Sequence, residues 1–411
     1  MISEALRVIE ELEKAGPSTR ALRVIRSKCT SIDMQLLSKR KQYEFVKHTN
    51  ALRAKAARES FWEFCKVIHP DFYRETRWHL KLLCEVLQAL YEKRLMLDNG
   101  EPARRLMINM PPRHGKSRTL VLFCAWVLGK NRKERIIACS YNDSLATDFS
   151  RYTRDEISRK KKFAIDLVYS DVFPETKIKH GDASYTRWAL EGQHFNYLGA
   201  GVGSGITGKG CTIGIVDDPI KDAEEAFSEA TLDKKWQWYT DTFSSRQESG
   251  ANDNAIEIVN HTRWAEKDIC GRILDGKDAT DWYVFMLEAK SETGEMLCPD
   301  LLSEKAYASL KNKMSPEIFF ANYHQQPITV TGRLYKNFET YDPEVLMTPE
   351  AQAARRIAYI DTADTGSDYL AGFVAIEFGE ALAVIDAIYT QAPMEETEPL
   401  TARLFAENRV N

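Results

Sequence analysis

The sequence predicts an α/β protein built on a mainly parallel, doubly wound sheet, and two observations lead there. From Phe61 to about Trp282, short apolar runs alternate with longer helix-spaced stretches, the pattern of strands joined by crossover helices. Within that region, RLMINMPPRHGKSRTLVLFCAWVL puts an apolar strand, a turn and a helix start in immediate succession. Composition fits such a fold: 44% of the 411 residues are hydrophobic and 28% charged, enough for a sizeable core and too apolar for a disordered chain. With 56 Lys and Arg against 60 Asp and Glu, the formal charge of -4 excludes a uniformly basic nucleic-acid coat, so any such contact must be a local patch.

Taken in order, residues 1–58 read as a helical N-terminal segment broken at Gly16-Pro17, with Leu6, Ile9 and Leu12 on one face. The first sixty residues carry 13 Lys and Arg against 7 Asp and Glu, which suits either a solvated helical appendage or an arm that contacts DNA or a partner. Residues 59–330 form the α/β domain, with strands predicted at Arg105–Asn109, Arg135–Ser140, Phe195–Ala200, Thr212–Val216, Ile256–Asn260 and Trp282–Leu287. A polar stretch at 291–300 opens a helical lid or linker that ends near Pro327 and Gly332. Residues 331–411 form a second unit, with short strands predicted at Ile357–Ile360, Ala371–Glu377 and Leu382–Ala387.

No run approaches the ~18 apolar residues of a membrane span, and MISEALRVIEELEKAG is too acidic for a signal peptide, so an intracellular chain without a membrane partner is expected. Cys29, Cys65, Cys84, Cys124, Cys139, Cys211, Cys270 and Cys298 are scattered without a CxxC pair, which predicts reduced, mainly buried thiols and no zinc site.

The strand at 106–108 feeds a turn, and Gly115-Lys116-Ser117 opens a helix repeating Leu120, Phe123, Cys124 and Val127. Free N–H groups and the positive helix end then face an anion, the geometry of a phosphate cradle in a P-loop NTPase. The nucleotide-binding residues in this reading are Arg113, His114, Gly115, Lys116, Ser117 and Arg118. Lys116 reaches the β- and γ-phosphates of ATP, and the Ser117 hydroxyl ligates Mg²⁺. Arg113 is either an in-cis finger on the γ-phosphate or a surface charge facing DNA. The usual pattern has a glycine five residues before Gly115, and here that position is Met110.

Further on, CTIGIVDDPIKDAEEA runs four apolar positions into Asp217-Asp218. A carboxylate at the end of a buried strand falls beside the phosphate loop in a doubly wound sheet, which assigns Asp217 to Mg²⁺. Asp218 stands where ASCE-type ATPases carry the glutamate that polarises the attacking water, with Glu224 or Glu225 as substitutes.

The ordered set MPPRHGKS, GAGVGSGITGKG leading into IGIVDDPIKDAEEA, IVNHTRWAEKDICGRI, ANYHQQP and YIDTADTGSDYLAGFVAI resembles the large terminase subunit of tailed bacteriophages over about residues 60 to 400. The resemblance implies an ATP-driven motor in the host cytoplasm, ringed as a homo-oligomer at the procapsid portal protein, moving double-stranded DNA with a small terminase subunit as partner. It implies that Thr262 senses the γ-phosphate and couples hydrolysis to DNA, unless it merely caps its strand. It implies that Trp78 or His79 stacks on the purine, although an amphipathic core helix with Trp78, Leu82 and Val86 on one face accounts for that segment equally well. Gly199, Gly201, Gly203, Gly205, Gly208 and Gly210, interleaved with Ser204, Thr207 and Lys209, are the first candidates for DNA contact, on the ground that they keep the backbone mobile and able to approach a polyanion; a flexible loop without a ligand is the alternative.

The second unit resembles the start of an RNase H-like nuclease domain, whose two metal ions, Mg²⁺ or Mn²⁺, are held by several carboxylates. Asp361 matches the first metal ligand; Asp364 and Asp368 read as turn residues. The family pattern continues with a strand carrying a catalytic Glu and a later Asp, whereas this sequence ends at ENRVN, so the chain as given is expected not to cut DNA. The alternatives are another P-loop translocase or helicase, against which stands the lack of a second motor core after residue 330, and a nucleotide-binding assembly component without turnover.

Overall fold

A computed structural model of the protein describes residues 39–181, 184–248, 255–327, 341–361, 370–378, 381–390 and 392–410. The helix expected around Leu6, Ile9 and Leu12, together with Cys29, Asp364 and Asp368, lies outside them. The chain divides into two compact units, Met1–Val330 and Thr331–Asn411.

The first unit opens with helices α1 (Lys39–Glu59), α2 (Phe61–Ile68) and α3 (Trp78–Tyr91). The described part of the N-terminal segment is no solvated appendage. Ala54 and Ala57 are buried in the main core, and the indole N–H of Trp126 donates to the Ala57 carbonyl at 3.0 Å. Ser60 caps α2 by accepting from the Glu63 amide, ending α1 and turning the chain in one residue. In α3 the buried residues are His79, Leu80, Leu83, Cys84, Val86, Leu87 and Leu90, while Trp78 and Leu82 face outward, so of the predicted Trp78–Leu82–Val86 face only Val86 enters the core.

Seven strands form the central sheet in the order β3-β4-β2-β5-β6-β1-β7. They are β1 (Arg105–Asn109), β2 (Ile136–Ser140), β3 (Arg187–Trp188), β4 (Tyr197–Gly201), β5 (Ile213–Asp217), β6 (Ile256–Asn260) and β7 (Trp282–Met286). All neighbouring pairs are parallel except β3–β4. The six predicted strands are present within two residues at each end. The two-residue β3 is unpredicted, being too short to carry any periodicity.

Alternate residues of the central strands enter opposite cores. Leu106, Ile108, Ile136 and Ile258 pack on one side, and Met107, Ile137, Cys139 and Val259 on the other. Burial on both faces is why these strands read as unbroken apolar runs. Helix α4 (Lys116–Lys130) is buried continuously from Thr119 to Leu128, more than the single face predicted from its sequence. Helix α5 (Asp143–Ser158) follows β2 and is capped by Asn142, which accepts from the Leu145 amide.

Gly199 and Gly201 belong to β4, where a Cβ would stand 2.5 Å from the Ala146 carbonyl oxygen and 2.7 Å from the Asp143 amide. These two glycines let helix and strand approach closely; they are not part of a mobile loop. Gly203, Gly205 and Gly208 do have open space around them. After β7, a smaller cluster gathers Ala289, Leu302, Tyr307 and Phe319 around the helices Glu304–Lys313 and Pro316–His324. The seven described cysteines are all free and buried, and no described helix is long and apolar enough to cross a membrane.

The second unit contains an antiparallel sheet in the order β10-β9-β8, with β8 at Arg356–Asp361, β9 at Leu370–Phe378 and β10 at Ala381–Thr390. A register shift between Val384 and Asp386 bends β10. The helix Met394–Glu407 follows, and Asn408 just beyond it donates to Asp386 at 2.7 Å, tying the helix end to β10.

Candidate functional site

The ends of β1, β5 and β6 are brought level by parallel register, and β6 lies between the other two. Residues separated by about a hundred positions in sequence therefore meet. Lys116 Nζ is 2.7 Å from Asp218 Oδ2, and Ser117 Oγ donates to Asp217 Oδ1 at 3.0 Å. Lys116, Ser117 and Asp218 border a cavity of about 470 Å³ that Phe72, Arg113, Tyr141, Thr262, Trp264 and Asn322 also line. That volume falls within the roughly 300–1,000 Å³ typical of small-ligand sites.

The loop owes its shape to two residues in the left-handed region, Arg113 at φ 63° and Gly115 at φ 91°. A Cβ on Gly115 would lie 2.9 Å from Leu80 and 3.0 Å from the Phe72 ring, so glycine is needed for space as well as for φ. Met110, where glycine is usual, is fully buried and is not a positive-φ residue, so its side chain anchors the start of the loop in the core. Asp218, at φ 42°, is the matching irregularity after β5. Successive side chains of a strand point to opposite faces, and the left-handed turn at Asp218 lets both carboxylates face the loop.

The two acids have opposite electrostatics. Burial first, then the charge of Asp218, pushes the Asp217 carboxyl up to about 7. Burial acts the same way on Asp218, but the Lys116 ammonium outweighs it and, with His261, holds that carboxyl well below the usual range. The Thr262 amide also donates to Asp218 Oδ1 at 2.9 Å. One ammonium against two carboxylates leaves excess negative charge at Asp217. That excess, with the neighbouring Ser117 hydroxyl, fits a Mg²⁺ ion, which takes oxygen ligands and completes its shell with substrate phosphates and water. No group of three or more His, Cys, Asp or Glu that could cage a metal occurs among the described residues.

Of the residues expected at the nucleotide, Arg113, Gly115, Lys116, Ser117, Arg118, Asp218 and Thr262 line the cavity. Asp217 stands just behind, buried against Ser117. His114, His79 and Trp78 do not line it. His114 is buried with Nδ1 3.0 Å from the Pro112 carbonyl, and burial lowers its pKa, so it supplies no charge to a phosphate. His79 is fully buried under the loop, its Nε2 3.3 Å from the His114 carbonyl, and burial followed by the charge of His114 lowers it to about 4. A fully buried ring offers no face to a purine, so the expected stacking role of His79 is corrected to support of the loop. The aromatic rings at the cavity are those of Phe72, Tyr141 and Trp264, with the Arg118 guanidinium 4.3 Å above the Phe72 ring. Phe72 lies in a loop with no periodicity, and sequence reasoning had no means of finding it.

Glu225 does not reach the cavity; it is engaged with the Lys221 amide at 2.8 Å and with Lys235 at 3.0 Å. Glu224 does not line it either, leaving Asp218 in the position next to the loop. Thr262 and its neighbour Arg263 are held from behind: Arg263 pairs with Asp268 at 2.9 Å, and its backbone meets Asn322 at 2.9 Å and Gln325 at 3.2 Å. In the second unit, Asp361 is exposed at the end of β8.

The family described as "Terminase large subunit, T4likevirus-type, N-terminal" matches residues 107–342, more than half of the chain. Among solved structures, the large terminase of bacteriophage HK97 is similar at 15% identity, over 80% of this chain and 68% of that one, with a TM-score of 0.41. The large terminase ATPase domain of Thermus phage P74-26 is similar at 12% identity over 59% and 93%, with a TM-score of 0.40. A large terminase of a thermophilic bacteriophage in complex with ADP is similar at 9% identity over 78% and 73%, with a TM-score of 0.39. No curated protein sequence matches. On the family match, which takes in the phosphate loop, the acid pair and the His-Thr-Arg turn, this chain belongs to the terminase large-subunit family.

Proposed function

We propose that this chain is the ATP-driven motor subunit of a phage DNA-packaging terminase, hydrolysing ATP with Mg²⁺ and coupling hydrolysis to translocation of double-stranded DNA into procapsids. The observation that carries the reading is the meeting of Lys116 and Ser117 with Asp218 and Asp217, at 2.7 and 3.0 Å, around one cavity. Phosphoryl transfer asks little covalent chemistry of a protein; it asks for positioning and for charge on the phosphate oxygens. The N-terminus of α4 and Lys116 bind the β- and γ-phosphates. Asp218, kept ionised by Lys116, orients the attacking water. Arg113 has the reach and exposure to neutralise γ-phosphate charge as the bond breaks. Ser117 and Asp217 would hold Mg²⁺, which would supply charge neutralisation to the phosphates. Thr262, bonded to Asp218 through its amide, relays the state of the γ-phosphate to the turn at Arg263.

In the same reading the partners are duplex DNA, a portal protein, a small terminase subunit and further copies of this chain in a ring, in the host cytoplasm and transiently at the portal. The exposed glycines 203, 205 and 208 remain the first place to look for DNA contact. The second unit is the beginning of an RNase H-like nuclease with Asp361 as its first metal ligand. The test is steady-state ATP hydrolysis with and without long duplex DNA, Lys116→Ala serving as background, beside a plasmid-nicking assay with Mn²⁺. Turnover raised by DNA and abolished in Lys116→Ala is expected. ATP binding without turnover would replace the motor with an assembly component, and nicking removed by Asp361→Ala would overturn the expectation that this chain does not cut.

A further inference from the structure

Asn260 ends β6, and the parallel register places it opposite Asp217 on one side and Ile108 on the other. Its backbone is fixed in that place: the carbonyl accepts from the Asp218 amide at 2.8 Å, and the next amide, of His261, donates to Ile108 at 2.9 Å. The side chain is fully buried. Its Nδ2 donates to Asp217 Oδ1 and lies 3.4 Å from Ser117 Oγ, the same two groups that bond to each other at 3.0 Å. The amide oxygen, by contrast, has no hydrogen-bond partner among the described residues.

That asymmetry bears on why an amide is there. An unsatisfied buried acceptor costs about 1–3 kcal/mol. Leucine, of the same branched shape but larger, would avoid that cost and would take the donor away from the Asp217 carboxylate, so what the amide supplies at this position is its N–H. What the amide does, and leucine could not, is hold one carboxylate oxygen and one hydroxyl together from behind. It does so without adding charge to a site that already has two carboxylates for one ammonium.

We propose that Asn260 is a positioning residue for the divalent cation of the nucleotide site, fixing Asp217 and Ser117 at the mutual spacing from which both can serve the metal. The inference rests on the nucleotide-site reading given above. Mg²⁺ demands near-ideal octahedral geometry and tolerates misplaced ligands poorly, so preorganisation of its few protein ligands determines affinity. Outer-shell partners of this kind typically contribute about 10–100-fold to metal affinity.

The experiment compares wild type, Asn260→Leu and Asn260→Ala as full chains. Mn²⁺ binding is titrated by electron paramagnetic resonance with a non-hydrolysable ATP analogue present, fluorescent-nucleotide binding is measured in EDTA, and melting is followed without ligand. Asn260→Leu should bind Mn²⁺ about 10–100-fold more weakly and keep its metal-free nucleotide affinity. Asn260→Ala should show the same metal loss, and it guards against a steric effect of leucine. Unchanged Mn²⁺ affinity in both variants overturns the proposal. So does a lower melting temperature in Asn260→Leu accompanied by loss of metal-free nucleotide binding, which would make the residue structural. A wild-type chain that shows no metal-dependent nucleotide binding instead overturns the site reading beneath it.

Discussion

Replacing Asp217 with asparagine should stabilise the protein, and the gain should grow with pH. The carboxyl is buried beside Asp218 and titrates near 7 against an ordinary value of 3.8. A native pKa raised above its unfolded value means that the group's contribution to stability is fully present below about pH 4 and is lost as pH rises through about 7. At pH 8 the ionised Asp217 therefore carries a penalty with an upper bound of about 4 kcal/mol, and at pH 5 about two fifths of that. Asparagine keeps an Oδ1 that can accept from Ser117 and Asn260, so the substitution removes the charge and retains both bonds. For a domain of this size the gain in melting temperature is on the order of 10 °C at pH 8 and a few degrees at pH 5. Differential scanning calorimetry of both chains across that range, without nucleotide or metal, measures it. A pH 8 melting temperature at or below that of the parent, or a gain that does not shrink on acidification, would refute the electrostatic account. The stabilised variant should at the same time lose metal-dependent nucleotide binding, because the charge that destabilises the fold is the one Mg²⁺ uses.

Asp218→Asn should keep nucleotide binding, since the Thr262 amide still finds an acceptor there, and lose about 10²–10⁴-fold in turnover; full activity would remove Asp218 from its role. Met110→Gly, which installs the residue usual at that place in the loop, should cost about 3 kcal/mol or more in urea denaturation without improving ATP affinity, because it empties a fully buried site. Gly271→Ala should cost more than about 4 kcal/mol or prevent folding, since its Cβ would fall 1.6 Å from the Glu266 carbonyl oxygen, and normal thermal unfolding of that variant would count against the packing described.

The strands of the first unit were legible because burial on both faces writes them as bounded apolar runs, and the phosphate loop because strand, turn and helix start are contiguous. The acid pair was legible once the loop was known, since parallel register puts the ends of neighbouring strands at one height. What escaped depends on rotation or on distance. The side of α3 that faces the core is decided by what packs on it, and apolar Trp78 and Leu82 carry no mark of being outside. Gly199 and Gly201 look like members of a flexible run because their neighbours are flexible; only the closeness of α5 assigns them to the sheet. Phe72 reaches the cavity from a loop before α3 that no periodicity could place.

Asn260 shows the same limit at the chemistry itself. In sequence it is one polar residue at the end of an apolar run, beside a more conspicuous His-Thr-Arg. Its importance comes from the interposition of β6 between β1 and β5, a matter of strand order that no local pattern encodes. Were β5 the direct neighbour of β1, Asp217 would meet the loop with no amide behind it. With β6 between them, a neutral donor sits against Asp217. In the proposed nucleotide site Lys116 would thereby be left to Asp218 and the phosphates and Asp217 to Mg²⁺, a division of charge between adjacent carboxylates that the strand order makes possible.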